Sequence, residues 1–368
     1  MLKKIIIGVF FVTILERKLK VMKINKFICL LIVLTICRFA EAQTTFAFSA
    51  YSKERVYTSL EEVDNPELVK VLDLSLKGLS SLPDLSSFKN LKALYIGGNS
   101  LTTFPESLFD IVSLEFIMAD QNNFSTLPSG LKKLVNIKGL SFANNLLTSI
   151  PDVVLSLPKL EMLNLADNKI TALPTNIKKL IKLKELDLSG NSISVMPAEF
   201  CSLVNLEVLM LGNNNINSLP ANFRQLINLQ VLYLDNCKIG LIDSKITSLT
   251  KLKTLSLSDC GINQVPASIN KLINLEALVL NSNNLTSLPN DIAALRKLKR
   301  LSCAYNKLSV LTASVAQLRN LIDINMSFNS LESIPEVVNK NTLPNLKGFG
   351  LSGNPVKTYP TWVHECMY

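Results

Sequence analysis

Apolar positions recur along this chain at a fixed interval from about Val69 to Tyr359. The clearest copy runs Leu160-Glu161-Met162-Leu163-Asn164-Leu165-Ala166-Asp167-Asn168-Lys169-Ile170, followed by Thr171-Ala172-Leu173-Pro174. Apolar residues stand first, fourth, sixth and eleventh in it, and Asn stands ninth. The first positions of successive copies are Val69, Leu91, Leu114, Ile137, Leu160, Leu183, Leu206, Leu229, Leu252, Leu275, Leu298, Leu321 and Leu346. The steps between them are one of 22 residues, ten of 23 and a last one of 25. Alternation at positions four and six predicts a short strand with one face turned inward. Position fifteen is Pro in eleven copies, with Asp243 and Thr312 as the exceptions. Proline cannot continue a strand ladder and fixes φ, so it predicts the start of a convex segment. A period of this length means a solenoid whose units pack on their neighbours and whose ends need caps.

Position nine is Asn99, Asn122, Asn145, Asn168, Asn191, Asn214, Asn283, Asn306, Asn329 and Asn354 in ten copies. Cys237 and Cys260 take it twice and Lys77 once. The chain must turn after each strand, which exposes backbone donors and acceptors to a dry interior. Buried backbone groups need partners, and an inward Asn amide offers both kinds. These residues therefore predict a structural ladder. The pattern L-x-x-L-x-L-x-x-N-x-L-x-x-L-P resembles the leucine-rich repeat superfamily over about four-fifths of the chain. Leu173-Pro174-Thr175-Asn176-Ile177-Lys178-Lys179-Leu180-Ile181-Lys182-Leu183 is most similar to its short L-P-x-x-I-x-x-L-x-x-L class, found in bacterial secreted and Ras-associated members. The resemblance implies an α/β solenoid: a horseshoe of about thirteen repeats with a parallel sheet on the concave face. It also implies a protein partner on that face.

The ends read differently. Residues 1–42 form a leader. Lys23 and Lys26 precede the apolar run Phe27 to Cys37, and Ala40-Glu41-Ala42 precedes Gln43. A basic start, a short apolar stretch and an A-x-A end predict a signal peptide over 22–42, cut after Ala42, with Met22 as the natural start. Retention as a membrane anchor is the rival, and Leu34-Thr35-Ile36-Cys37 faintly resembles a lipoprotein box. Membrane association is expected only if the leader is kept or lipidated. Residues 43–68 read as a loose lead-in and an N-terminal cap helix near Tyr57–Val63, with Ser59 and Glu62 spaced as a capping box and Pro66 after it. The solenoid occupies 69–360, and 361–368 form a brief C-terminal cap in which Trp362 covers the last coil.

Charge and chemistry narrow the function. The leader's eight Lys/Arg and two Glu contribute +6 of the net charge of +9, leaving +3 for the remainder. That balance does not suggest nucleic acid. Lys132-Lys133 and Lys178-Lys179 read as a solvated convex face. The single His, His364, lies in the tail. There is no H-E-x-x-H, Walker loop or paired C-x-x-C, so no catalytic residue, metal site or cofactor is expected. Gly348-Phe349-Gly350-Leu351-Ser352-Gly353 matches G-x-G-x-x-G, but its repeat register leaves no helix to follow it. Asn123-Phe124-Ser125 and Asn284-Leu285-Thr286 match the glycosylation sequon. Cys201, Cys237, Cys260, Cys303 and Cys366 follow the leader, an odd number with no framework spacing. Cys237 and Cys260 share a rung on adjacent coils, within disulfide range at about 5 Å, or serve as two buried thiols in place of Asn.

Two groups on the concave rows are candidate contact residues. Tyr95, Phe116 and Met118 lie at positions three or five of the second and third copies, with Asp120 beside them. Val208, Met210, Val231 and Tyr233 take those positions in the seventh and eighth, with Asp235 and Asp259 beside them. Aromatic and Met side chains grouped across neighbouring strands suggest a partner surface. β-propensity alone also favours such residues on strands. Together these readings point to a non-catalytic, secreted or periplasmic interaction protein. An intracellular Ras-associated type of scaffold and a cell-surface adhesin are the alternatives.

Overall fold

The structure is a computed structural model that describes Tyr51 and residues 53–363. The leader, His364 and Cys366 lie outside the described residues. Each copy contributes one three-residue strand at positions three to five, and the strands pair in chain order into one parallel sheet of fourteen. β1 is Val56–Tyr57, β2 Val71–Asp73, β3 Ala93–Tyr95, β4 Phe116–Met118, β5 Gly139–Ser141, β6 Met162–Asn164 and β7 Glu185–Asp187. β8 is Val208–Met210, β9 Val231–Tyr233, β10 Thr254–Ser256, β11 Ala277–Val279, β12 Arg300–Ser302, β13 Asp323–Asn325 and β14 Gly348–Gly350. β2 to β14 belong to the thirteen copies. Every pairing keeps position four in one file, as Leu186, Leu209, Leu232, Leu255 and Leu278 show. That file and positions one, six and eleven form a single continuous core of Leu, Ile and Phe.

The convex side is tighter than an α/β horseshoe suggests. It consists mostly of short 3-10 turns, such as Thr175–Lys179 and Ala267–Lys271, each entered from a Pro with extended backbone. The two copies without Pro are capped by side chains instead. Asp243 accepts the Lys245 N–H ahead of the α-turn Ser244–Thr247, and Thr312 accepts the Ser314 N–H. An N-cap oxygen here satisfies a first-turn N–H that has no side-chain partner in turns entered from proline. The extra residues of the twelfth copy gather around Asn339, whose Oδ1 takes the N–H of Asn341 and Thr342.

The Asn rungs are inward and fully engaged. Asn168 donates Nδ2 to the carbonyls of Phe142 (2.8 Å), Leu165 (3.1 Å) and Ala166 (3.1 Å), and accepts the Leu147 N–H at 2.9 Å. One amide thus joins two turns of its own coil to the previous coil. Cys237 and Cys260 keep half of this. Their thiols donate to the carbonyls of Leu211 at 3.3 Å and Leu234 at 3.1 Å, the same places an Asn Nδ2 would reach. Both are free thiols, so the disulfide alternative is not what the structure holds.

Position eight, just before each rung, has positive φ in every copy. Gly98, Gly190 and Gly353 do this without strain, and Asn144, Asn213, Asn236, Asp167 and Asp259 at small cost. Leu76, Tyr305 and Phe328 are bulky exceptions. The Tyr305 and Phe328 rings stack at 4.3 Å and 13°.

The N-terminal end differs in detail from the sequence expectation. The lead-in supplies β1, which pairs with β2 and covers what would be an open sheet edge. In place of a cap helix there are two 3-10 turns, Leu60–Glu62 and Pro66–Leu68. Ser59 caps Glu61, but Glu62 reaches back to Thr58 instead of Ser59, so the capping box is only half formed. At the far end Trp362 stacks on Phe349 at 5.8 Å, and Val363 is buried beneath the last coil.

Candidate interaction surface

Strand pleating turns positions three and five of each copy toward the concave face. The two candidate groups meet different fates there. Phe116 is 2 % exposed and Tyr95 8 % exposed, in a small cluster with Val71 and Ala93. The lead-in lies on top of them. The Tyr51 ring meets Phe116 edge-on at 6.1 Å, and its hydroxyl bonds Glu115. Burial and the Glu115 carboxylate push the Tyr51 hydroxyl well above its usual range. This corrects the expectation that Tyr95 and Phe116 face solvent: their surface is spent on the chain's own N-terminal segment, and Met118 is half-buried at its margin.

Val208, Met210, Val231 and Tyr233 form one half-buried block, with Val208 beside Val231 and Met210 beside Tyr233. On one side stand Glu185 and Asp187, on the other Thr254 and Ser256. Asp235 does not join the block as a free contact. Its Oδ1 takes the Ser256 hydroxyl at 2.5 Å and the Ser258 N–H at 2.7 Å. Asp120 holds Ser141 and the Ala143 N–H in the same way, and Asn281 holds Ser302 and the Ala304 N–H. An acid or amide at position seven followed by Ser at position five of the next coil is therefore a structural clamp. That pairing was visible in the sequence and went unread.

Burial governs the acids on this floor. Asp187 is 6 % exposed and is pushed up to about 6, chiefly by burial, with the Asp167 and Asp120 carboxylates adding and two bonds from Ser189 opposing. Glu185 is raised by burial and by the Glu207 carboxylate. The row at position two is self-paired. Glu115 lies between Lys92 (3.3 Å) and Lys138 (2.6 Å), Glu161 pairs with Lys184, Glu276 with Lys299, and Glu207 accepts Gln230.

A second amide ladder runs along the rim. Asn136, Asn205, Asn228, Asn274 and Asn320, each the residue before position one, donate to the carbonyls of Val112, Ile181, Val204, Thr250 and Arg296 in the preceding coil. The residues that accept, with Val135, Ile227 and Ile273 in register, include an exposed aliphatic row.

Among the described residues no group of three or more His, Cys, Asp or Glu is arranged to hold a metal. Burial pushes the thiols of Cys201 and Cys237 up to about 11, and those of Cys260 and Cys303 up to about 12, which leaves them poor nucleophiles. Gly348 and Gly350 sit in β14, and a Cβ on Gly350 would lie 2.7 Å from Asn325 Oδ1. Close strand approach explains that glycine, and the next helical turn begins only at Thr361.

Three family models match overlapping stretches: a leucine-rich repeat region over residues 229–349, a leucine rich repeat over 181–239, and paired leucine rich repeats over 135–179 and 158–198. The chain belongs to the leucine-rich repeat superfamily. Solved leucine-rich repeat structures agree. A leucine-rich repeat protein of Leptospira interrogans is 26% identical with a TM-score of 0.67, covering 86% of this chain and all of that one. A TDR receptor is 28% identical with a TM-score of 0.71, covering 85% of this chain and 58% of its own. The Arabidopsis receptor kinase HAESA, solved with the peptide hormone IDA and the co-receptor SERK1, is 27% identical with a TM-score of 0.60 over 77% of this chain. This chain spans about half of that receptor's length, 48%. A search of the curated proteins returns no match. Leucine-rich repeat proteins are typically protein-interaction modules, generally without enzymatic activity.

Proposed function

We propose that this protein binds a protein partner on its concave face, without catalysis, after export from the cytoplasm as a secreted or periplasmic protein. The observation that carries the binding claim is the Val208, Met210, Val231 and Tyr233 block. It is an apolar surface left half-open on the sheet, whereas Tyr95 and Phe116 on the same face are covered. Tyr is among the residues that carry most contact energy at protein interfaces, and Met is enriched at their cores. The HAESA complex supports the reading, since that solenoid was solved with a peptide and a second protein. Export rests on the leader's basic start, apolar run and Ala40-Glu41-Ala42 end.

The test has two parts. Sequencing the N-terminus of protein from fractionated cells is expected to give Gln43 in an exported fraction; a chain starting at Met1 in the cytosol refutes export. Capture of the natural partner by the full chain is expected to fall about tenfold or more with Met210→Ala plus Tyr233→Ala, and to be unaffected by Ile227→Ser on the rim. Capture that survives the first change and fails with the second would move the binding surface to the rim.

A further inference from the structure

The apolar block has an acidic neighbour with no cation in ion-pair contact. Glu185 and Asp187 stand on β7, one strand from Val208 and Met210 and two from Val231 and Tyr233. Among the described residues neither forms an ion pair. Ser189 gives its N–H (2.9 Å) and hydroxyl (2.5 Å) to the same Asp187 oxygen, Oδ1. Lys184, the nearest cation in sequence, is held by Glu161 at 2.9 Å and reaches Glu185 and Glu207 only through its longer-range field. Glu207 at the edge of β8 carries a further negative charge and accepts a hydrogen bond from the neutral Gln230. The Asp167 and Asp120 carboxylates add to the same field. The position-two acids Glu115, Glu161 and Glu276 pair with lysines one coil away. Glu185 and Asp187, on the inner rows beside the open apolar block, do not.

We infer that β7 to β9 receive an extended polypeptide segment of the partner, which sets a lysine or arginine against Glu185 and Asp187 and an aliphatic or aromatic side chain against Met210 and Tyr233. The spacing fits. Neighbouring strands are about 4.8 Å apart, so the acids lie roughly 5–10 Å from the apolar block measured across the sheet. An extended segment crossing the strands places residues i and i+2 on one side, about 7 Å apart. A basic residue followed two positions later by an apolar one spans the two halves. The raised proton affinity of Asp187 has the same meaning: a buried carboxylate short of positive charge gains most when a cation arrives. An acidic cleft also raises the local concentration of a basic segment before contact.

This inference rests on the concave-face reading above, and its test separates the two. A random peptide library displayed on phage is selected against the immobilised full chain at low salt, and an enriched peptide is synthesised and measured by fluorescence anisotropy. The expected result is enrichment of Lys or Arg two residues before an apolar residue. Glu185→Gln plus Asp187→Asn is expected to weaken such a peptide about tenfold or more at low salt, less at high salt, and to erase the basic preference in a repeated selection. Met210→Ala plus Tyr233→Ala is expected to weaken binding while keeping that preference. The Asn substitution is compatible with the fold, because Asn164 and Asn325 stand at the same position and accept the same N–H two residues on. Enriched peptides without a basic residue, peptides indifferent to loss of both acids, or no enrichment at all each overturn the inference. Capture of the natural partner that still fails with Met210→Ala plus Tyr233→Ala would leave the concave-face reading standing in those cases.

Discussion

Removing one rung of the inner ladder measures what holds the coils together. Asn214 lies mid-solenoid, is buried, and donates Nδ2 to the carbonyls of Leu188 (2.9 Å), Leu211 (2.8 Å) and Gly212 (3.3 Å) while accepting the Ile193 N–H at 2.9 Å. Its partners are unequally exposed to the loss. Leu188 O also receives Asn191, Leu211 O also receives the Cys237 thiol, and Gly212 O also receives the Gly190 N–H. The Ile193 N–H has no such second partner at hand and would be orphaned in a dry interior. Asn214→Ala therefore costs about 1–3 kcal/mol for that donor, plus about 1 kcal/mol for lost bonds and the small void, for a total of roughly 3 kcal/mol. In a domain of this size, with an unfolding entropy of about 2.1 cal/mol/K per residue, that lowers Tm by about 4–6 °C. Asn214→Cys is the internal control, since Cys237 and Cys260 already stand at this position and donate to the matching carbonyls. It should cost about half as much. Thermal unfolding followed by far-UV circular dichroism ranks the three chains. A loss below about 1 kcal/mol for the Ala variant, or a Cys variant no better than Ala, refutes the ladder as the inter-coil tie.

Asp187 gives a pH signature. Its folded carboxyl is raised to about 6 from an ordinary value near 3.8, so the folded state binds the proton more tightly than the unfolded chain. Its contribution to stability is then most favourable below about pH 4 and is lost as pH rises through 6. Asp187→Asn should stabilise the fold by roughly 2–3 kcal/mol at pH 8, with no advantage at pH 4, in denaturant titrations at both values; a gain independent of pH contradicts the burial argument. Asp243→Ala removes the cap that stands in for proline and should cost about 1 kcal/mol by the same titration, whereas Asp243→Pro should recover part of it if its fixed φ is what the position requires. An Ala variant of unchanged midpoint would show the cap to be idle.

What was legible in the sequence was whatever recurs at a fixed register. Thirteen strands, the inward file of Leu, and the Asn rungs follow from period alone, because a position repeated a dozen times has one environment. The convex turns were legible from Pro105, Pro174 and their equivalents, although the choice of 3-10 over α geometry was not. Three things escaped. The cover over Tyr95 and Phe116 comes from Tyr51 and Val56, which precede the first repeat and carry no periodic signal. The internal role of Asp235 depends on a partner one coil later, Ser256, so it is invisible within a single copy. The rim ladder of Asn136, Asn205 and Asn228 looks like ordinary loop polarity until its carbonyl partners are seen. The acidic pair on β7 was likewise unremarked, because a single copy does not show that the position-two acids find lysines one coil away and this pair does not.

The claim that the β8–β9 block is the partner-facing surface is tested most directly by site-specific photo-crosslinking in living cells. A photoreactive phenylalanine analogue replaces Tyr233 in one strain and Ile227, exposed on the rim, in another. The account predicts a discrete protein adduct from position 233 that is absent from position 227. Adducts from 227 alone, or none from 233 in cells where the partner is captured by the unmodified chain, would contradict it.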